Sequence, residues 1–331
     1  MHTGVSQPDR VTVSVPARLH LGFLDLNGGL GRRFGSIGLA ISDLKTSITV
    51  GRAKVSTVSG PEADRVRQYL QTMERALALD EAHAVSVMQS VPAHVGLGSG
   101  TQLALAVAVA LRRLHNLPLD IEADALKLGR GARSGIGTGL FRCGGLVVDG
   151  GRGALSAVAP IVSHMSFPDD WRILTVLDPA HRGMHGAAET TAFARLAPMS
   201  EAEAADLCRL VLIKALPALA EHDLPSFGAA IRQVQQRLGS YFAPVQGGSS
   251  FTSPAVAAVL AALETAGAHG IGQSSWGPTG FAFASSAEEA DRLAALAREC
   301  PHNRGLDIRI CSGLNHGAEI VAHPQFAVRT K

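Results

Sequence analysis

The sequence has little net charge, few cysteines and no long apolar run. Its 30 Lys and Arg residues nearly balance 28 Asp and Glu residues, which leaves a formal net charge of +2. That is too little for the basic stripe that binds a nucleic-acid backbone. The longest apolar run, residues 103–111, is far shorter than the ~20 residues that cross a bilayer. We therefore expect neither a nucleic-acid partner nor a membrane partner.

The cysteines are also too scattered to form a metal or disulfide framework. The chain has 4 of them, Cys143, Cys208, Cys300 and Cys311, with no C-x-x-C pair. Widely spaced cysteines of this kind are typical of a reducing compartment. Residues 1–10 are polar and lack the apolar segment of a signal peptide. We expect a soluble, cytoplasmic protein.

The length and the order of predicted elements favour two domains. At about 150 residues per domain, a chain of 331 residues divides once, and we place the domains at 1–165 and 166–331. Hydrophobic periodicity predicts helices over residues 62–79, 99–115, 187–196, 201–220, 226–238, 254–266 and 287–299. It predicts strands over residues 11–15, 19–26, 85–91, 146–148, 173–177, 281–284 and 306–311. This mixture is typical of an α+β fold.

A glycine-rich loop precedes the long apolar helix predicted at residues 99–115. Backbone amides at such a helix start can bind an anion, and glycine permits close approach of the backbone. Ser99 or Thr101 can add a hydroxyl or cap the helix, although a plain capped loop has the same pattern. A dinucleotide fingerprint needs glycine where Thr101 stands, and the Gly-Lys-Ser/Thr of a P-loop is absent. The loop residues that we expect to bind phosphate are Gly96, Gly98, Ser99, Gly100, Thr101 and Gln102.

Several segments together resemble a known family. Pro-x-x-x-Gly-Leu-Gly-Ser at residues 92–99 resembles the second motif of the GHMP kinase superfamily, and Pro-Ala-Arg at 16–18 resembles the first. Gly-Gln-Ser-Ser-Trp-Gly-Pro-Thr at 272–279, with the segments 18–21 and 25–28, resembles the β-ribofuranosylaminobenzene 5′-phosphate synthase branch. Residues 183–189 and 246–248 are similar to further family segments, with His185 where the family has Ser. The resemblance covers nearly the whole chain.

The resemblance implies a fold and a reaction. The fold is a two-domain GHMP kinase-like α+β structure with an N-terminal phosphate-loop domain and a C-terminal α/β sandwich. The reaction joins phosphoribosyl pyrophosphate to 4-aminobenzoate or 4-hydroxybenzoate, with loss of carbon dioxide and pyrophosphate, in tetrahydromethanopterin biosynthesis. The resemblance also implies Mg²⁺ as cofactor and a homodimer. The sequence leaves the amino and hydroxyl acceptors open.

The resemblance also assigns roles to individual residues. Arg18, His20 and Asp25 are expected to be catalytic, and Asp25 is also the expected magnesium ligand. Trp276 offers a flat platform for a benzoate ring, with a packing role as the alternative. A surface ion pair for Arg18, packing for His20 and an Asx-turn for Asp25 are the competing interpretations. The further residues expected to bind substrate are Asn27, Arg133, Ser134, His185, Glu189, Gln246, Gln273, Ser274, Ser275 and Trp276.

One position argues against the kinases of the superfamily. Many of them carry an Asp after Ser-Gly-Ile, whereas this chain has Gly137 there. A general base typically contributes ~10²- to 10⁴-fold to the rate, so its absence disfavours ordinary phosphoryl transfer. An ATP-dependent small-molecule kinase and a non-catalytic ligand-binding regulator remain the alternatives. His181 and His185 lack the context of a zinc site.

Overall fold

The computed structural model of this protein describes residues 8–324, so the outer ends of both predicted domains, 1–7 and 325–331, lie outside it. The chain has a π-helical turn at Val211–Ala215 and a 3₁₀ turn at Ala243–Val245. In chain order the elements are β1 (Pro8–Asp25), β2 (Arg32–Ala53), β3 (Thr57–Ser59), α1 (Ala63–Ala76), β4 (Ala82–Gln89), α2 (Ser99–Leu114), α3 (Ile121–Lys127), α4 (Ile136–Cys143), β5 (Leu146–Asp149), β6 (Arg152–Gly153), β7 (Ile161–Met165), β8 (Arg172–Leu177), α5 (Gly186–Arg195), α6 (Glu201–Leu210), α7 (Leu216–Ala220), α8 (Leu224–Phe242), α9 (Pro254–Thr265), β9 (His269–Gln273), β10 (Gly280–Ala284), α10 (Ala287–Glu299), β11 (Asp307–Ser312) and β12 (Glu319–Pro324).

The first sheet is built on the long antiparallel pair β1 and β2. Strand β12 borders β1 on one side, and β4 followed by β3 borders β2 on the other. The central helix α2 packs against this sheet, and residues 103–111 are buried on all sides. Their apolarity around the whole helix requires that burial. The prediction of a buried helix directly after the glycine loop is confirmed.

The second sheet is antiparallel in the order β11, β8, β10, β9. Alternating side chains of β10 face opposite sides, as the two-residue period of a strand requires. Phe281 and Phe283 pack in a cluster with α8, whereas Ala282 and Ala284 pack in a cluster with α9 and α10. The small alanines allow these two helices to lie close to the sheet. The second half is thus a layered structure with helices on both faces.

The two halves are joined more closely than the predicted boundary at residue 165 implies. That boundary falls between β7 and β8, yet β12 from the second half pairs with β1, with Ser14 opposite Glu319. One core cluster also contains residues of both halves, for example Leu19 with Phe227. The last strand of the described chain therefore belongs to the first sheet.

The predicted helices and strands are present with bounds shifted by a few residues. The elements that the sequence did not predict are β2, β3, α3, α4, β6, β7, β9 and β12. The sequence did not indicate helix α4, because two of its eight residues are glycine, which is unfavourable inside a helix. Within residues 8–324, no helix is both long enough and apolar enough to cross a membrane.

Candidate functional site

A cavity of about 440 Å³ opens between α2, the loop before α4, the start of α5 and the loop between β9 and β10. This volume suits a ligand of metabolite size. The predicted site residues that line it are Arg18, His20, Gly96, Gly98, Ser99, Gly100, Thr101, Arg133, Ser134, His185, Glu189, Ser275 and Trp276. The structure therefore brings together residues that are up to 258 positions apart, from 18 to 276, in the sequence.

A much smaller cavity of about 30 Å³ adjoins the large one. His20, Phe23, Ser275 and Trp276 line both cavities. The predicted residues Gln246 and Gln273 line the small one, together with Gln235 of α8, which the sequence did not indicate. A space of this size holds about one water molecule.

The glycine loop sits tightly against the loop that carries Trp276. Gly96 has φ of +85°, and a Cβ there would lie 2.3 Å from the backbone oxygen of Ser274. Gly98, with φ of +75°, is the cap residue of α2, and no side chain caps that helix. The prediction that Ser99 or Thr101 caps it is therefore wrong. The first-turn amides of a helix lack intrahelical acceptors, and α2 has no acidic residue in its first turn, so its positive end is available to an anion.

Arg18 is held beneath this loop. Its backbone N–H donates to Leu97 O at 3.2 Å, and its Nη1 donates to Gly96 O at 3.0 Å. Burial lowers the pKa of Arg18 to about 10, with Glu189 partly opposing the shift, so the guanidinium stays charged at neutral pH. Its Nε is buried without a partner among the described residues. Arg18 thus braces the loop rather than forming a surface ion pair.

Two further arginines converge on the start of α2. A Cβ placed on Gly100 would lie 2.7 Å from Arg65 Nη2 and 3.1 Å from Arg130 Nη1. Arg65 also binds Glu62 at 2.8 Å, and Arg130 binds the Tyr69 hydroxyl. We call Arg18, Arg65, Arg130 and the first turn of α2 the anion side of the cavity.

His20 lies two residues after Arg18, at a bulge of β1. The register with β2 shifts between His20 and Gly22, and a bulge of this kind turns a side chain toward a new direction. The residue is only 4% exposed. Burial, and to a lesser degree Arg18, hold the pKa of His20 well below its usual value, so the imidazole is neutral at neutral pH. Its Nε2 has no partner among the described residues.

Trp276 is packed into a group of rings. It is 5% exposed, and its ring centroid lies 5.4 Å from that of Phe193 and 4.7 Å from that of Phe242. Both contacts are edge-to-face, a favourable arrangement for aromatic pairs. Trp276 therefore packs and lines the cavity at once, and its role as a platform for benzoate stays a prediction. His20, Phe23 and Trp276 line the large cavity, and Phe193 and Phe242 pack against Trp276 behind them. We call these five residues the aromatic side of the cavity.

Glu189 and His185 lie at the start of α5. Glu189 accepts a hydrogen bond from Trp276 Nε1 at 3.0 Å and pairs with Arg133 at 2.9 Å. The His185 ring stacks on His94 with centroids 3.4 Å apart, and burial followed by His185 lowers the pKa of His94. Ser134, at the start of α4, donates its hydroxyl to Asp149 at 3.1 Å.

Four predicted residues are not in the lining of either cavity. Ser274 is fully buried and donates its hydroxyl to Gly96 O at 2.8 Å, so it supports the glycine loop. Gln102 is also buried, and its Nε2 donates to Gly137 O at 3.4 Å. Asn27 donates to Met199 O at 2.6 Å. The fourth residue is Asp25, the expected magnesium ligand.

The residues present do not fit a magnesium ion held by the protein alone. Asp25 Oδ1 accepts the backbone N–H groups of Asn27 and Gly28, each at 2.8 Å, which is the geometry of an Asx-turn. Across residues 8–324, no group of three or more His, Cys, Asp and Glu side chains is placed to hold a metal. Magnesium prefers carboxylate and phosphate oxygens, and Glu189, which lines the large cavity, has both oxygens engaged by protein donors.

Gly137 lines the large cavity but has no side chain that could act as a base. A Cβ there would lie 2.9 Å from Thr101 Cγ2. An aspartate at this position would press against the first turn of α2. The glycine is thus matched to the packing between α4 and α2.

Comparison with known proteins agrees with this geometry. The GHMP kinases N terminal domain matches residues 64–141, and the GHMP kinases C terminal domain matches residues 215–302. A β-ribofuranosylphenol 5′-phosphate synthase of Archaeoglobus fulgidus is 32% identical, over 92% of this chain and 97% of that protein. The chain belongs to the β-ribofuranosylphenol 5′-phosphate synthase family. The family resemblance drawn from the sequence is confirmed, and with it an enzyme of the pentosyltransferase type.

Two further similarities concern the family and the fold. A β-ribofuranosylphenol 5′-phosphate synthase of Methanothermobacter thermautotrophicus is 28% identical, over 93% of this chain and 98% of that protein. The crystal structure of a homoserine kinase from Cytophaga hutchinsonii superposes with a TM-score of 0.69 at 16% identity, covering 96% of this chain and 98% of that one. The kinase similarity shows the fold alone. The predicted GHMP kinase-like α+β fold is confirmed.

Proposed function

We propose that the protein is a decarboxylating phosphoribosyl transferase. It joins phosphoribosyl pyrophosphate to 4-hydroxybenzoate and forms a ribofuranosylphenol 5′-phosphate, carbon dioxide and pyrophosphate. The names of its relatives describe a phenol product, which favours the hydroxyl acceptor over the amino acceptor. The observation that carries the proposal is one cavity with an anion side and an aromatic side.

The anion side suits the departure of pyrophosphate. As the bond between ribose C1 and the diphosphate oxygen breaks, negative charge grows on the leaving group. Arg65 and Arg130 meet at Gly100, where the positive end of α2 also lies. Like charges held this close are unfavourable until an anion lies between them. Fixed cations and amides of this kind stabilise developing charge without reorganisation.

The aromatic side suits the acceptor. The ring carbon that bears the carboxylate attacks C1, and the para hydroxyl donates electrons to that carbon. The bond to the carboxylate then breaks, its electron pair restores the aromatic ring, and carbon dioxide leaves. Trp276 offers an apolar wall to the ring. The neutral imidazole of His20, with an unpartnered Nε2, can accept a hydrogen bond from the hydroxyl.

This reaction does not require the base that the superfamily's kinases carry. No acceptor hydroxyl has to be deprotonated for phosphoryl transfer, which is consistent with Gly137 and with the methyl group of Thr101 against it. In this proposal magnesium is bound by the diphosphate oxygens of the donor, and no step is assigned to it. Use of the product for a tetrahydromethanopterin-type cofactor, a cytoplasmic location and a homodimer are further parts of the proposal.

The decisive experiment follows the carboxyl carbon. The protein is incubated with phosphoribosyl pyrophosphate, Mg²⁺ and carboxyl-labelled 4-hydroxybenzoate, and we expect label in carbon dioxide together with one pyrophosphate per turnover. The control acceptor is 3-hydroxybenzoate, whose hydroxyl cannot donate electrons to the carboxyl-bearing carbon. Intact labelled acceptor under all conditions contradicts the proposal, and ADP formation from ATP with an alcohol acceptor supports the kinase alternative.

A further inference from the structure

One carboxylate connects an arginine and the tryptophan in the wall of the cavity. Glu189, in the first turn of α5, bonds through Oε1 to the indole N–H of Trp276 at 3.0 Å. Its Oε2 pairs with Arg133 Nη1 at 2.9 Å. Arg133 belongs to the loop before α4, and Trp276 to the loop between β9 and β10. Three separate segments of the cavity wall therefore meet at this one side chain.

Helix α5 holds Arg133 by more than this ion pair. Arg133 Nη2 donates to the Thr190 hydroxyl at 3.1 Å, and its guanidinium lies 5.3 Å from the ring centroid of Phe193. Phe193 in turn packs edge-on against Trp276. The planar guanidinium is thus fixed by a fork of hydrogen bonds and by a ring face, a geometry that lysine cannot reproduce.

The charge and exposure of Glu189 argue against direct contact with an anionic substrate. Its side chain is 19% exposed, and both oxygens already accept from protein donors. A free carboxylate here would repel both the donor phosphates and the acceptor carboxylate. Paired as it is, Glu189 stabilises the positions of Arg133 and Trp276 through charge-assisted hydrogen bonds.

We propose that Glu189 is a positioning residue that holds Trp276 and Arg133 in place in the wall of the cavity, with Trp276 oriented for the acceptor, without touching either substrate. The inference deepens the proposed phosphoribosyl transfer and rests on it for the identity of the two ligands. It replaces the prediction from the sequence that Glu189 binds substrate. The link between the three segments does not depend on the proposed reaction, because it is given by the hydrogen bonds of Glu189.

The first test removes the carboxylate of Glu189 in two backgrounds, one that has its two partners and one that lacks them. Glu189→Ala should lower kcat/KM by about 10- to 100-fold in the wild-type background, as expected for loss of charge-assisted bonds. In the Arg133→Gln/Trp276→Phe background, which lacks both partners, the same change should cost less than about threefold, because coupled residues are not additive. An equal loss in the two backgrounds means that Glu189 acts on the substrate directly and overturns the inference. The matched control is Glu201→Ala, at an exposed position at the start of α6, which should leave kcat/KM unchanged.

The second test uses the conservative variant, and its fluorescence measurement needs no turnover. Glutamine keeps an oxygen that can accept from the indole, so Glu189→Gln should retain the Trp276 fluorescence, measured as the difference between each protein and its Trp276→Phe counterpart. Glu189→Ala should shift that emission and raise the KM for the acceptor, and Glu189→Gln should restore both. Emission unchanged in Glu189→Ala contradicts the inference. If the wild type releases no carbon dioxide, the proposed function fails, while the fluorescence result still decides the role of Glu189.

Discussion

The anion side and the aromatic side of the cavity are built by opposite means. On the anion side, Arg18 Nε and Arg130 Nε are buried without partners among the described residues, and the start of α2 has no side-chain cap. On the aromatic side, Phe193, Phe242 and Trp276 pack edge-to-face against one another. The anion side therefore has hydrogen-bond donors without protein partners, whereas the rings of the aromatic side already pack against one another.

This difference explains how one cavity can bind two chemically different ligands. A leaving diphosphate needs donors that are in place before the charge develops, and donors without partners supply them. An arene needs an apolar wall that excludes water, and a closed group of rings supplies it. His20 borders both, since its ring centroid is 4.6 Å from that of Phe23 and it lines the same cavity as Arg18, two residues before it on β1.

The largest effect on the difference between the two sides is expected when two cations are removed from the anion side. Arg65→Gln combined with Arg130→Gln should raise the KM for phosphoribosyl pyrophosphate by about 10²- to 10⁴-fold, because each charged hydrogen bond contributes roughly 1.5–3 kcal/mol. The KM for the acceptor should change less than about threefold. Steady-state kinetics with each substrate varied in turn measures both constants.

The matched control for the double variant is Arg142→Gln. Arg142 lies on α4 and pairs with Glu122 on the surface, so neither KM should change. Circular dichroism and thermal unfolding of the double variant check its fold, because Arg130 also lies over the Tyr69 ring. Equal rises in the donor and acceptor KM would mean that the two sides are not separate binding surfaces.

A smaller effect is expected from the titration of His20 on the aromatic side. Burial lowers the pKa of His20 in the folded protein, so below pH 6.5 the unfolded chain binds a proton that the folded chain does not. The free energy of unfolding is therefore highest above pH 6.5, and it falls by about 1.4 kcal/mol per pH unit as the pH drops toward the folded pKa. Urea unfolding at pH 7 and pH 5 measures this loss.

His20→Gln isolates that loss from the other histidines. Burial also lowers the pKa values of His94 and His115, and their contributions remain in the variant. We expect the variant to lose less unfolding free energy than the wild type between pH 7 and pH 5. Equal losses in the two proteins would show that His20 titrates normally and is not held neutral by the cavity.

The sequence predicted the parts of the site that local chemistry defines. The glycines at 96, 98 and 100 were recognisable because close approach of the backbone requires glycine. The motif around Trp276 was recognisable because it resembles a family motif and contains one of the two tryptophans. Arg65 was missed because it lies on the amphipathic helix α1, which carries other charged residues. Only the packing of α1 beside α2 shows that its side chain reaches Gly100.

Long-range pairing accounts for the main differences in the fold. The pairing of β12 with β1 joins residues about 300 positions apart, and no local pattern specifies such a partner. Asp25 shows the reverse case. The resemblance implied a catalytic and metal-binding role, whereas its Oδ1 accepts the backbone N–H groups of Asn27 and Gly28, as in the Asx-turn that the sequence offered as the alternative. Its catalytic role stays a prediction. Strand pairing and side-chain direction thus depend on contacts that a single sequence does not display.

The smallest expected effect separates anion binding from stability at one residue. Gly100 is in the first turn of α2 and has no positive φ, so alanine is compatible with the helix. Gly100→Ala should increase the free energy of unfolding by up to about 1 kcal/mol. The new methyl group would meet only the flexible ends of Arg65 and Arg130, which would move away from the anion. We therefore expect a donor KM about 3- to 10-fold higher in a protein that is no less stable, an effect close to one 1.4 kcal/mol step. A stabilised protein with an unchanged donor KM would mean that the two guanidinium groups need not stay at the start of α2, and the anion side would then reduce to Arg18 and the helix amides.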